Sequence, residues 1–160
     1  MIRTPEFRDP APRSLCTDCG ISRLEDAAAC GRACQFIAPD YPRLERSVHG
    51  QSRGDGDELF FGPFEAMYRA RLRSPKPGAQ WTGITTTLAA RLLETGAVEG
   101  VLTMVPDADD IWKPRPALIT DPQEMAKARG MRMGYAPLLA LLEDAAVRKL
   151  KRLAVIGIPC

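Results

Sequence analysis

The sequence predicts an α/β fold in which a cysteine-rich N-terminal segment precedes an α/β sheet domain left incomplete on its C-terminal side. Three observations predict it. From about residue 82 onward, strand-like and helix-like runs alternate, which is the pattern of a layered α/β domain. Four of the five cysteines crowd into residues 16 to 34, a stretch with too few large apolar side chains for a core of its own. The last apolar run, Arg152 to Gly157, has the continuous character of a buried parallel strand yet lies at the end of the chain. A central strand there needs further chain beside it to pair its backbone groups, so the sequence reads as a fragment of a longer protein.

A chain of 160 residues, 45% of them hydrophobic, buries one ordinary core with a smaller appendage. The net charge of +2, with acids and bases interspersed, offers no basic stripe for a nucleic-acid backbone. The start MIRTPEFRDPAPRS is too charged and proline-rich for a signal peptide, and no run is long enough for an integral membrane segment. A cytoplasmic location is expected. In that reducing compartment an odd number of cysteines points to metal or redox chemistry rather than disulfides.

Residues 1–15 are polar, punctuated by Pro5, Pro10 and Pro12, and read as an arm. Residues 16–46 form the cysteine-rich segment, closed by the proline-rich APDYP, and residues 47–160 form the α/β domain. Its first part mixes a Gly/Asp-rich loop with the aromatic residues Phe60, Phe61, Phe64 and Tyr68, and part of it is expected as a strand or short helix. Thr82 is placed to cap a helix whose apolar face is Ile84, Leu88, Ala89, Leu92 and Leu93, with Gly96 as its left-handed stop. Gly100 to Val105 is a strand, and Pro116 to Thr120 a further extended run. Asp121-Pro122-Gln123-Glu124 begins a short helix with a side-chain cap, an early proline and a reciprocal glutamate, ending near Gly130. A second helix is expected from about Ala136 to Leu150, before the final strand.

The most specific signal is Cys16-x2-Cys19-x10-Cys30-x3-Cys34. A CxxC pair brings two thiolates to one centre from a tight turn, and CGRAC adds two more about one helical turn apart. Four sulfur donors suit tetrahedral zinc or a 4Fe-4S cluster. The zinc alternative makes the segment a stapled binding module without catalysis. Cys160 follows the last strand through Gly157-Ile158-Pro159, in the loop where open α/β sheets place their chemistry; its plain alternative is a small buried hydrophobe.

Gln80, Trp81, Thr82 and Gly83 sit at the entrance of a helix, where free N–H groups and the helix dipole favour a phosphate; an ordinary capped helix start is the alternative. Arg129 and Gly130 lie at a helix end, where the arginine either faces a pyrophosphate or is solvated. His49, the only histidine, is the side chain suited to proton exchange near neutrality, or a structural residue. The aromatic residues either line a flat ligand site or fill a core.

The stretches CTDCG, ACQFIAPDYPRLE, VHG, GAQWTGITTTLAARLLETGAVEGVL, WKPRPALITDPQEMAKARG and KRLAVIGIPC together resemble the coenzyme F420 hydrogenase/dehydrogenase β-subunit family, in particular its photosynthetic branch. GAQWTG and IGIPC are its specific motifs. The resemblance implies 4Fe-4S clusters and FAD, with electrons passing from ferredoxin to a chlorophyllide-type tetrapyrrole, most closely to the 8-vinyl group of a divinyl precursor. Other reactions of the family, 7-hydroxymethyl chlorophyll reduction or deazaflavin oxidoreduction, use the same cofactors. It further implies Cys16, Cys19 and Cys34 as cluster ligands and Cys160 as a ligand of a cluster completed elsewhere. Relatives carry a cysteine where Ser22 stands, so Cys30 is the replacement donor. Gln80, Trp81, Thr82, Gly83, Arg129 and Gly130 are implied at the FAD, and His49 as a proton donor.

Overall fold

The computed structural model describes residues 16–25, 30–34, 36–37, 40–74, 77–78, 83–132 and 134–157. The expectations for the arm and for Gln80, Trp81, Thr82 and Cys160 lie outside the described residues.

Strand β1, Gly100–Pro106, is rich in β-branched and apolar residues and takes the middle of a three-stranded sheet, with strand order β2-β1-β3. β2, Pro114–Ile119, pairs with it antiparallel, Val101 facing Ile119 and Thr103 facing Ala117. β3, Leu153–Val155, pairs with it parallel, Val101 facing Ala154. The expected parallel strand is therefore present but forms an edge of the described sheet, and Val155 is half exposed. Its residues are covered on both faces, Ala154 packing on the side of Ala89 and Leu93 and Leu153 on the side of Leu141 and Ala145, and among the described residues only the edge away from β1 lacks a neighbouring strand.

Because side chains alternate along a strand, β1 and β2 serve both faces. Val101 and Val105, with Ala117 and Ile119, pack on one face against Ala89 and Leu93 of α4, Ile84–Glu94, and against Met125. Leu102 and Leu118 pack on the other against Leu138 and against Leu141 and Ala145 of α5, Leu141–Val147. The domain is a layered α/β structure, as expected.

Several local expectations are corrected. Gly83 stands at the N-cap of α4, with φ 67° and no side-chain cap, and the chain turns into the helix through the left-handed region. Gly96 follows the helix at φ 69°, the stop read from the sequence. Asp121 does accept from Gln123 N at 2.8 Å, but the helix it caps, Pro122–Ala128, is a 3₁₀ helix. Glu124 turns to Lys127 Nζ at 2.7 Å instead of closing a capping box. The helix expected over residues 136 to 150 is a 3₁₀ turn, Leu138–Ala140, followed by α5, and Val147 is exposed.

Before the sheet domain, α1, Cys30–Ala33, is a single α-helical turn, followed by two short helices, α2, Tyr41–His49, and α3, Asp57–Phe61. Asp40, Tyr41 and Pro42 of the APDYP stretch form a helix start. Asp40 accepts from Arg43 N, and Pro42 occupies the first turn, so the helix runs across the expected boundary at residue 46. Glu45 is buried and holds Arg53 through its backbone N–H at 2.9 Å and its Nε at 2.7 Å. Phe60, Phe61, Phe64 and Tyr68 are all exposed, so among the described residues they form no core. Among the described residues no helix is long and apolar enough to cross a membrane.

Candidate functional site

The cysteine turn is shaped by its backbone. Asp18 takes φ 54° and Gly20 φ 106°, which folds residues 16 to 20 back on themselves. In this turn Asp18 N donates to Cys16 Sγ over 3.3 Å. Such N–H donors stabilise negative charge on sulfur and tune a thiolate centre. Arg23 closes the turn by donating from Nε to Asp18 Oδ1 at 2.8 Å.

The turn is seated on the sheet domain. Leu139 N donates to Cys19 O at 2.8 Å, and Glu25 N donates to Glu143 Oε1 at 2.6 Å. A Cβ added to Gly20 would lie 2.3 Å from Ala140 N and 2.8 Å from Pro137 O, so only glycine permits the approach. The cysteine segment therefore sits on the sheet face that carries α5.

Cys16, Cys19, Cys30 and Cys34 are unpaired thiols, with Cys30 buried and the others half-buried. Burial pushes the Cys19 thiol above its ordinary value; the Ile21 N–H opposes that, and Cys30, Cys16 and Cys34 add to it by like-charge repulsion. Among the described residues, however, no three His, Cys, Asp or Glu side chains are gathered closely enough to hold a metal ion. The donor chemistry fits a thiolate-bound centre, and so does a polar atom without a partner: Ser22 Oγ is sealed from solvent and makes no hydrogen bond among the described residues.

A second feature lies on the opposite face of the sheet. A cleft of about 300 Å³ between α4 and the 3₁₀ helix is lined by Gly83, Thr86, Thr87, Arg91, Gln123 and Arg129, among others. The N-terminus of α4, Thr86, Thr87 and Arg129 meet there, a set suited to an anion such as a pyrophosphate, while Arg91 in the same lining is paired with the Glu94 carboxylate at 3.1 Å. The structure thus brings Gly83 and Arg129 together, as the sequence suggested, and Arg129 also donates to Pro77 O at 3.2 Å. Gly130, at φ 90°, is exposed beside them and does not line the cleft. Arg132 Nη2 donates to Arg129 O at 2.9 Å, and burial lowers the pKa of its guanidinium.

His49 is exposed at the end of its helix and is absent from the cleft lining. Thr86, Thr87 and Arg91 were not singled out from the sequence. Their signal is a second helical stripe, residues 83, 87 and 91 beside 86, 90 and 94, running along a different side from Ala89 and Leu93.

Residues 67–143 match the family described as coenzyme F420 hydrogenase/dehydrogenase, beta subunit N-terminal domain. That stretch carries the N-terminal domain of this family. Among relatives, the protein all1601 of Nostoc sp. is 36% identical over 98% of this chain and 40% of its own length. The chloroplastic 7-hydroxymethyl chlorophyll a reductase of Oryza sativa subsp. japonica is 38% identical over 91% of this chain and 32% of its own. The chain therefore spans about a third to two fifths of these relatives. Among solved structures, a chain of the F420-reducing [NiFe] hydrogenase complex from Methanosarcina barkeri matches 49% of this chain and 27% of its own at 30% identity, with a TM-score of 0.45. A coenzyme F420 hydrogenase subunit beta of Methanothermobacter thermautotrophicus is 33% identical over 64% of this chain and 37% of its own length.

Proposed function

We propose that the protein is an iron-sulfur flavoprotein oxidoreductase that passes electrons from ferredoxin, through 4Fe-4S clusters and FAD, to the 8-vinyl group of a divinyl chlorophyllide-type tetrapyrrole. The observation that carries this reading is the cysteine turn, in which Cys16 Sγ accepts the Asp18 N–H over 3.3 Å and the Cys19 carbonyl ties the turn to Leu139 of the sheet domain over 2.8 Å. The conversion of vinyl to ethyl consumes two electrons and two protons, taken up as one net hydride and one proton. When bound, the clusters and FAD supply one-electron storage and hydride delivery.

This chain's own residues hold and orient. Cys16, Cys19, Cys30 and Cys34 provide sulfur donors, and Cys160 a donor to a second cluster. Gly83, Thr86, Thr87 and Arg129 would hold the FAD pyrophosphate at the N-terminus of α4, with Gln80, Trp81, Thr82 and Gly130 as the further candidate FAD residues. His49 donates the proton.

The identity to the Oryza enzyme favours one second reading, in which the same cofactors reduce a 7-hydroxymethyl group to methyl with loss of water. The test is anaerobic purification of the protein at its natural length, followed by its visible spectrum and its iron, sulfide and flavin content. Turnover with reduced ferredoxin on divinyl and on 7-hydroxymethyl substrates then separates the readings. Bands that bleach on reduction and formation of the 8-ethyl product are expected. A colourless protein with stoichiometric zinc would overturn the reductase in favour of a stapled module.

A further inference from the structure

The segment between α2 and the sheet domain turns its large side chains outward. Phe60 is 78% exposed and Tyr68 89%, and Phe61, Phe64 and Met67 between them are exposed as well. Large apolar side chains gathered in water mark a site of association, because the hydrophobic effect favours their burial. The segment is held in this posture. Buried Glu45 grips Arg53, whose Nη1 donates to Leu59 O at 3.0 Å, so α3 is tied to α2 with its phenylalanines in water. Beyond the aromatic residues the chain turns basic. Residues 66–72 form no helix, strand, turn or bend, and Arg69, Arg71 and Arg73 are exposed at alternate positions. None of the three makes an ion pair among the described residues, and the sequence holds no acidic residue between Glu65 and Glu94 to neutralise them. Of the acids before them, Asp57 and Glu58 lie at the start of α3, where Glu58 Oε2 accepts from Gly54 N at 2.7 Å, and Glu65 follows Phe64.

We propose that this aromatic and basic surface docks the protein on an anionic lipid bilayer. The proposal goes beyond the electron-transfer reading and needs neither cluster nor flavin. The occupant follows from the two chemistries standing side by side. Phenylalanine and methionine side chains gain by entering the boundary between headgroups and acyl chains, and tyrosine suits that boundary because its ring is apolar and its hydroxyl stays wet. Lipid phosphates spread negative charge over a layer, so a row of unpaired guanidinium groups is attracted to them without a preformed pocket. The rings protrude, and none of them lines the cleft beside α4. A protein partner would have to offer a matching hollow for each ring, whereas a bilayer accepts protruding rings wherever they fall.

The experiment sediments the protein at its natural length with vesicles of phosphatidylcholine alone and with vesicles of phosphatidylcholine and phosphatidylglycerol in equal parts, at low and at high salt. Wild type is expected to pellet with the anionic vesicles and to be released by salt, which screens the attraction. Phe60→Ser combined with Phe61→Ser should weaken binding at least about tenfold, since the rings no longer bury apolar surface. Arg69→Gln, Arg71→Gln and Arg73→Gln together should weaken it about a hundredfold, at about fivefold for each arginine. All five positions are exposed, so both variants are expected to keep the wild-type thermal midpoint. Arg69→Lys, Arg71→Lys and Arg73→Lys together should retain binding, because a lipid surface reads charge and not the forked geometry of a guanidinium. Failure of wild type to pellet with anionic vesicles would overturn the proposal and assign the surface to packing within the longer chain. Equal binding to both kinds of vesicle, or loss of binding in the lysine variant, would also overturn it. A wild type that is dimeric without lipid and monomeric as the Phe60→Ser, Phe61→Ser variant would overturn it in favour of a second copy of this chain.

Discussion

The backbone N–H of Leu139 donates to the carbonyl of Cys19 over 2.8 Å, joining the turn that carries two candidate ligands to the segment that leads into α5. Gly20, next to Cys19, approaches Ala140 so closely that a methyl group in its place would overlap the backbone. The cysteine segment is consequently part of the same packed unit as the sheet. The anion cleft, on the other hand, opens on the far face, beside α4.

Gly20→Ala is expected to unseat the cysteine turn. The new Cβ would meet Ala140 N at 2.3 Å, and φ 106° already disfavours any side chain, at a cost of at least about 1 kcal/mol. Hydrogen exchange of the Leu139 amide should quicken, and iron bound per chain after reconstitution should fall. An unaltered Leu139 amide would show that the approach is not restrictive.

Arg129→Ala removes a guanidinium from the cleft between α4 and the 3₁₀ helix. A hydrogen bond to a charged group contributes about 1.5–3 kcal/mol, so flavin affinity should weaken by about tenfold to hundredfold. The flavin-to-protein ratio after gel filtration reads this directly. Retention of stoichiometric flavin would place the pyrophosphate elsewhere.

Glu99 gives the sheet a pH dependence. Its Oε2 accepts from Lys151 N at 2.7 Å and Arg152 N at 3.0 Å, tying the lead-in of β3 to the start of β1. These two backbone donors hold its pKa below the ordinary glutamate value of 4.5, outweighing a small opposing effect of burial, and Arg152 adds to the depression. A depressed folded pKa means stability that is fully present above the unfolded value and is lost as pH falls through the folded one. The difference in thermal midpoint between wild type and Glu99→Gln should therefore be largest near neutrality and shrink below about pH 4.5. A difference independent of pH would contradict the assignment.

Leu102→Ala tests the central strand. Leu102 has no exposed surface and packs with Leu118, Leu138 and Leu141 under the segment that seats the cysteine turn. Truncating a buried leucine costs about 2–5 kcal/mol, which denaturant unfolding of the metal-free protein would measure. A loss below about 1 kcal/mol would mean that this face collapses to fill the space.

Local chemistry was legible. GVLTMV is β-branched and apolar over six residues, and β1 lies there with one further residue. Gly96 ends α4 at φ 69°, and Asp121 caps the following turn through Gln123. The turn at Asp121 is 3₁₀, with Glu124 paired to Lys127 at 2.7 Å, a choice that the sequence pattern alone leaves open. The same holds for APDYP, where Asp40 and Pro42 start a helix and the prolines suggested only a break.

By itself the sequence determined the α/β class, the central strand, the family likeness and the residues with the chemistry of a thiolate centre, because each is written in periodicity or in the spacing of adjacent residues. Only the tertiary structure decided that Leu139 and Ala140 carry the cysteine turn, that Gly83 and Arg129 meet in one cleft, and that the turn and the cleft lie on opposite faces of the sheet. Those relationships depend on backbone groups far apart in the chain coming within hydrogen-bond distance. A backbone N–H or a missing Cβ leaves no side-chain pattern by which its distant partner can be read.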